Sequence, residues 1–231
     1  KKNIEKLSKE IKNKLRGIKY EVIFVDDKST DGTISVLKKL NLKDKKFKYI
    51  IHRGRRDLTQ SCFLGICKSK NKLIVIMDGD LQHNPFYIKL MLKKIILKKS
   101  DLVIGSRNFS KLNSNLLSSI RVFFSKSLIY ILGLVSGKNF IDPMSGFFIF
   151  KRELYFNNKK NFYGKGYKIL ADFIYNIPKL KINEITIKFR SREKGNSKMN
   201  LNILAILISF ILQKALQNLL NKIKIFFINL I

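Results

Sequence analysis

Four β-rich runs in succession each lead into a charged or polar residue, with helix-patterned sequence between them, and this alternation constrains the fold more than any other feature. Tyr20–Val25 leads to Asp26 and Asp27, Phe47–Ile51 to Arg53, Leu73–Met77 to Asp78 and Asp80, and Leu102–Ile104 to Ser106 and Arg107. Helices are expected after Gly32 through Leu40, near Leu58–Lys68, and after Pro85, a residue suited to a first helical turn. Ahead of them, Ile4, Leu7, Ile11 and Leu15 fall on one helical face. Apolar strands without polar alternation, separated by helices, argue for an α/β fold with a mostly parallel sheet covered on both faces. Ligands of such sheets bind beyond the carboxyl ends of the strands. The strand-end residues are therefore the first functional candidates, although turns favour Asp and Ser for local reasons too.

The sharpest of these ends is Met77-Asp78-Gly79-Asp80-Leu81-Gln82. In an extended segment alternate side chains share a face, so Asp78, Asp80 and Gln82 would converge on one point. Two carboxylates and an amide oxygen are hard ligands suited to Mg²⁺ or Mn²⁺ that also binds phosphate oxygens. The alternative is a polar turn capping the next helix, but Gln82 in phase after an apolar strand favours the metal. The second end is Asp26-Asp27-Lys28-Ser29-Thr30-Asp31-Gly32-Thr33. Asp31 or Ser29 serves equally as the N-cap of the following helix. Capping does not account for Asp26 and Asp27, whose carboxylates suit a base or ribose hydroxyl.

Forty-seven Lys and Arg against 16 Asp and Glu give a formal charge of +31, which fits nucleic acid, anionic lipid or phosphate-bearing molecules as partners. Lys, Asn and Ile are abundant throughout, so this charge alone does not choose among them. A nucleic-acid module would show aromatic and basic residues interleaved or a groove-entering helix, and neither is evident. Cys62 and Cys67 read as buried thiols of a reducing compartment. His83 is expected at the surface or in a turn. The sequence shows no cleavable signal and opens without Met in a charged helix-like stretch, so a missing N-terminus is expected.

Beyond Lys198 the composition shifts. Leu201–Leu212 is almost wholly apolar, after which Gln213, Lys214, Gln217, Asn218, Asn221 and Lys222 interrupt the pattern. A spanning helix needs about 20 apolar residues. The pattern predicts instead an amphipathic helical segment over 201–231, lying in a membrane interface or packed on the main domain, 1–200. A membrane segment beginning near Ile223 is a further alternative.

Taken in order, the motifs resemble the dolichol-phosphate mannose synthase family, within the inverting GT-A glycosyltransferases. The matching blocks are Val25–Thr33, Arg56-Asp57-Leu58-Thr59, Met77–Pro85 and Gly105-Ser106-Arg107. They continue with Asp142-Pro143-Met144-Ser145-Gly146-Phe147-Phe148, Gly166–Leu170 and Arg192–Lys198. The resemblance implies a Rossmann-like GT-A domain that takes a nucleotide-sugar, GDP-mannose in this family, and a polyprenyl-phosphate acceptor, with Mg²⁺ or Mn²⁺. It assigns the metal to Asp78, Asp80 and Gln82, and the donor to Asp26, Asp27, Arg53, Asp78, Arg192 and Lys198. The acceptor phosphate falls to Arg107, Arg121 and Ser125. The last pair stands four apart in a helical stretch and so shares a face. Asp80, Arg107 and Arg121 are the residues assigned to catalysis.

Relatives open with a strand and a Pro-x-Tyr-Asn-Glu segment, so the resemblance implies that one strand and part of the donor pocket are missing. Gly79 stands where relatives carry Ala, which keeps a small residue there. The setting implied is the cytoplasmic face of a membrane, with a membrane-anchoring subunit left open and no nucleic acid. A polyprenyl-phosphate glucosyltransferase using UDP-glucose is the near alternative, and an inactive scaffold is disfavoured by intact Asp78, Asp80, Arg192 and Lys198.

Overall fold

The computed structural model describes residues 1–107, 142–166, 169–177 and 179–190, together with Ser209, Leu216 and Leu220. Two compact units divide the chain, one of residues 1–108 and 142–196, the other of residues 109–141 and 197–231. Of the second unit, the three described residues are helical and exposed. The C-terminal amphipathic segment expected over 201–231 otherwise lies outside the described residues. Among the described residues no helix is long and apolar enough to cross a membrane.

The first unit follows the expected alternation closely. Helix α1 (Lys2–Lys14) precedes β1 (Val22–Asp26), α2 (Thr33–Lys43), β2 (Phe47–Ile51), α3 (Leu58–Lys68), β3 (Leu73–Ile76), α4 (Phe86–Leu97) and β4 (Leu102–Arg107). Then come β5 (Phe148–Lys151), α5 (Arg152–Asn158), a short 3₁₀ turn, α6 (Ile169–Asn176) and β6 (Ile182–Ile187). β1 pairs with β2 in parallel, as does β4 with β6. Between β3 and β4, however, lies β5, which runs antiparallel to both. Phe147-Phe148-Ile149-Phe150 is buried on both faces, and a run of that kind carries no sign of direction.

Alternation along β5 feeds two cores. Phe147 and Ile149 join Leu7, Ile11, Leu81, Ile88 and Met91 on the face covered by α1 and α4. Phe148 and Phe150 instead meet Phe173, which stacks on Phe162, which in turn stacks on Tyr155. Burying each such ring contributes roughly 1.5–3 kcal/mol. The expected inward face of α1 is present, with Leu7, Ile11 and Leu15 buried.

The sheet comes in two pieces, β1-β2 and β3-β5-β4-β6, and among the described residues β1 has no ladder to β3. Their starts are nonetheless tied by Glu21. Its carboxylate accepts from Lys48 Nζ at 2.6 Å, from the Lys70 backbone N–H at 2.7 Å and from Asn71 Nδ2 at 3.1 Å. Burial alone would raise the Glu21 carboxyl, but Lys48 and these hydrogen bonds outweigh it and hold the group below its ordinary value. A depressed folded value stabilises fully above the unfolded one, about 4.3, and that stabilisation is lost as pH falls through the folded value. Glu21→Gln is therefore expected to cost about 1–3 kcal/mol at neutral pH. Denaturant titrations of both proteins from pH 7 downward should show the difference shrinking in acid.

Candidate active site

Strand register determines what meets at the carboxyl end of the four-stranded sheet. Phe148 is opposite both Ile76 and Ile104, so residues 142–147 lie just beyond the end of β3 and beside Gly105–Arg107, the last residues of β4. Asp142, with a side chain only 1% exposed, accepts from Arg107 Nε at 2.6 Å and Nη2 at 2.9 Å. Burial works against the Arg107 charge, yet the bonds and charge of Asp142, aided by Asp78, hold the guanidinium above its ordinary value. Ser145 Oγ donates to the Gly105 carbonyl at 2.7 Å. Gly146 comes directly against Asp78: a Cβ there would stand 2.9 Å from Asp78 Cγ and overlap Oδ2 outright.

The acidic centre differs from the extended segment expected. β3 ends at Ile76, and Leu81 takes a left-handed φ of 70°. Asp78, Asp80 and Gln82 are thus arranged by a turn and not by strand alternation. Asp80 Oδ1 accepts from the Gln82 backbone N–H at 3.1 Å. Gln82 in turn grips the segment after β6: its carbonyl accepts from Arg190 N at 3.0 Å and its Nε2 donates to Arg190 O at 3.3 Å. Among the described residues no three His, Cys, Asp or Glu side chains gather as a metal cage. The two carboxylates and one amide remain hard oxygen donors, and Gly146 leaves the Asp78 carboxylate its room, so the residues fit a divalent ion that completes its shell from a ligand.

His83 was expected at the surface or in a turn; it does lie in this turn, but it is no surface residue, being 3% exposed, like neighbouring Leu81 at 2%. Its ring lies between Phe147 and Phe189, with centroids 5.0 and 5.2 Å away. The left-handed residue redirects the chain so that both side chains enter the core.

At the other piece of sheet, Asp26 is buried and does have a local role, because Oδ2 accepts from Ser29 N at 3.0 Å. Asp27 Oδ1 lies 2.9 Å from His52 Nδ1, which is also 3.3 Å from Ser61 Oγ. Arg53 is exposed just beyond them. Asp31 accepts from both the backbone N–H and the hydroxyl of Thr33 at the start of α2. Asp57, at the N-cap of α3, accepts from Gln60 N at 3.0 Å and from Gly166 N at 2.7 Å, fixing the Gly164–Gly166 loop. Burial pushes the Cys62 thiol up to about 12, with Asp78 and Asp57 adding to the effect. Cys67, also expected to be buried, is exposed near the end of α3.

Arg121, Ser125, Arg192 and Lys198 lie outside the described residues. Of the residues the sequence singled out, the structure gathers Asp78 and Arg107 around residues 142–147 and sets Asp26, Asp27 and Arg53 around the β1–β2 end. The roles of His52, Asp142, Gly146 and Phe189 were missed. His52 directly follows a strand and both Asp142 and Gly146 sit in a matching block, so a signal existed for three of them.

Gly146→Ala is expected to displace the Asp78 carboxylate. A misplacement of that order costs about a hundredfold in rate. Initial-rate assays of the protein's turnover should show the loss while the unfolding midpoint changes little.

The sequence profile described as glycosyl transferase family 2 matches residues 1–156. A dolichol-phosphate mannosyltransferase of Pyrococcus furiosus is 31% identical, covering 85% of this chain and 55% of the relative. One from Saccharomyces cerevisiae is 27% identical, covering 79% of this chain and 69% of the relative. The chain thus spans about half the length of the first. Glucosyl-3-phosphoglycerate synthase from Mycobacterium tuberculosis, solved with Mn²⁺, UDP and glucosyl-3-phosphoglycerate, superposes with a TM-score of 0.63 at 16% identity over 94% of this chain and 75% of that one. At that identity the likeness concerns the fold, which is GT-A.

Proposed function

This chain belongs to glycosyl transferase family 2, and from that premise we propose that it transfers a sugar from a nucleotide-sugar to a polyprenyl phosphate at a membrane surface. The finer reading is mannose from GDP-mannose, with inversion and with Mg²⁺ or Mn²⁺, on the cytoplasmic face. The observation that carries it is the meeting of Asp78 with Gly146 beside the Arg107–Asp142 pair at the ends of β3 and β4. The names of the dolichol-phosphate mannosyltransferase relatives support the acceptor class.

In this reading Asp78, Asp80 and Gln82 would hold the divalent ion, with remaining ligands from the donor diphosphate. Bound there, the ion supplies Lewis-acid neutralisation of the departing nucleoside diphosphate. Asp27, held by His52, and Arg53 line the nucleoside end of the donor. Arg192 and Lys198 add cationic donors to the diphosphate, each commonly worth a few kcal/mol when aimed at developing charge. A phosphate monoester has a second pKa of about 6, so the acceptor is largely an anionic nucleophile at neutral pH and needs no general base. One of its oxygens forms the new bond to the anomeric carbon as the bond to the diphosphate oxygen breaks, and the leaving group takes the electron pair. Attack opposite the leaving group inverts that carbon. The family resemblance assigns the acceptor phosphate to Arg107, Arg121 and Ser125. The edges of β1 and β3 that carry no ladder among the described residues are where this reading seats the opening strand of the relatives, whichever segment supplies it.

The protein offered GDP-mannose, UDP-glucose and related donors with Mn²⁺ and a short polyprenyl phosphate is expected to form a mannosyl lipid from GDP-mannose, as measured by mass spectrometry. Glucosyl product alone would move the donor reading to UDP-glucose, and no lipid product from any donor would overturn the acceptor. Arg107→Ala is expected to raise the acceptor KM at least about tenfold, the scale of one lost charged hydrogen bond, with the donor KM changed far less. Unchanged acceptor kinetics would remove Arg107 from the acceptor site.

A further inference from the structure

His83 is the least explained side chain near the acidic centre. It is 3% exposed and packed between Phe147 and Phe189. Its Nδ1 is buried with no hydrogen-bond partner among the described residues. A buried polar atom left unpaired costs about 1–3 kcal/mol, and an apolar residue of similar size would fill the space without that cost. One polar approach offsets it: Nε2 stands 3.5 Å from Asp78 Oδ2. Gly146 packs against that same carboxylate oxygen, so closely that an added Cβ would overlap it. Asp78 is therefore bounded by backbone at Gly146 and by an imidazole edge at His83, while its side chain stays 44% exposed.

We propose that His83 is a positioning residue for Asp78, carrying its proton on Nε2, donating it to Oδ2 and so setting the orientation in which the carboxylate receives a divalent cation. This rests on the reading of Asp78 as a metal ligand. Nδ1, unpartnered among the described residues, fits that tautomer, since a proton there would find no acceptor among them. Phe147 and Phe189 fix the ring plane, so the donor is held without the rotational loss that an exposed side chain would suffer. Groups behind a ligating side chain commonly account for about ten- to hundredfold in metal affinity. The 3.5 Å separation is long for a hydrogen bond, and such contacts commonly tighten once the ligand is bound.

The test compares His83→Phe, which keeps the ring and removes both nitrogens, with His83→Gln, whose side-chain N–H₂ reaches the place of Nε2. Mn²⁺ binding to the protein is measured by the EPR signal of free Mn²⁺, with GDP and separately with UDP present, and thermal unfolding is followed in the metal-free proteins. His83→Phe is expected to fold with a midpoint near that of the wild type and to bind Mn²⁺ about ten- to hundredfold more weakly. His83→Gln is expected to recover most of that loss. Equal Mn²⁺ affinity in His83→Phe and wild type would overturn the inference alone. So would a His83→Gln protein that folds yet binds as weakly as His83→Phe. A wild-type protein that binds no Mn²⁺ with either nucleotide would overturn the metal reading and the inference with it.

Discussion

The antiparallel insertion of β5 between β3 and β4 is the constraint on which the rest of the site depends. Pairing Phe148 with both Ile76 and Ile104 leaves residues 142–147 at the one end of the sheet where β3 and β4 also deliver their terminal side chains. From there Asp142 clasps Arg107, Ser145 bonds the Gly105 carbonyl, Gly146 meets Asp78 and Phe147 packs on His83. A slip of one residue in that ladder would turn the side chains of β5 to the opposite face and carry residues 142–147 away from these partners. The two buried cores fed by β5 make such a slip expensive, because Phe147 and Ile149 serve one and Phe148 and Phe150 the other. Packing energy on both faces thus becomes positional accuracy at the acidic turn.

Charge is arranged to match. Asp142 is buried, and a lone buried carboxylate is costly; its two-point bond to Arg107 is the arrangement that compensates such a charge. The pair keeps a fixed cation beside Asp78, where the proposed function brings a phosphate-bearing substrate. The second sheet piece uses a different device at its own carboxyl end, with Asp27 held against His52 and Asp26 folded back onto Ser29. Glu21 links the two pieces at their opposite end.

Much of this was legible in the sequence where the signal is local. Apolar runs, helical faces and the residues following each run gave the elements from α1 to β4 close to their observed bounds, and the motif order gave the GT-A class. Features that depend on distant partners were not. The direction of β5 cannot be read from four consecutive apolar residues buried on both sides. Arg107 was noticed, but its partner is 35 residues away, and nothing in the spelling of either segment announces the pair. His83 was expected at the surface or in a turn, and a polar residue in a turn carries no local sign of being buried. The left-handed backbone at Leu81, which no residue other than Gly signals strongly, sends it inward. Cys67 was misjudged for the opposite reason: an apolar neighbourhood in sequence does not say which side of α3 a residue faces.

Crystals of the protein soaked with Mn²⁺ and GDP, measured at the manganese absorption edge, put the acidic turn to its most direct trial. The arrangement around β5 predicts one anomalous peak within about 2–2.5 Å of carboxylate oxygens of Asp78 and Asp80, with the diphosphate on its far side. Clear nucleotide density with the manganese peak elsewhere, or with Asp78 turned away from it, would contradict the assignment of that turn as the catalytic centre.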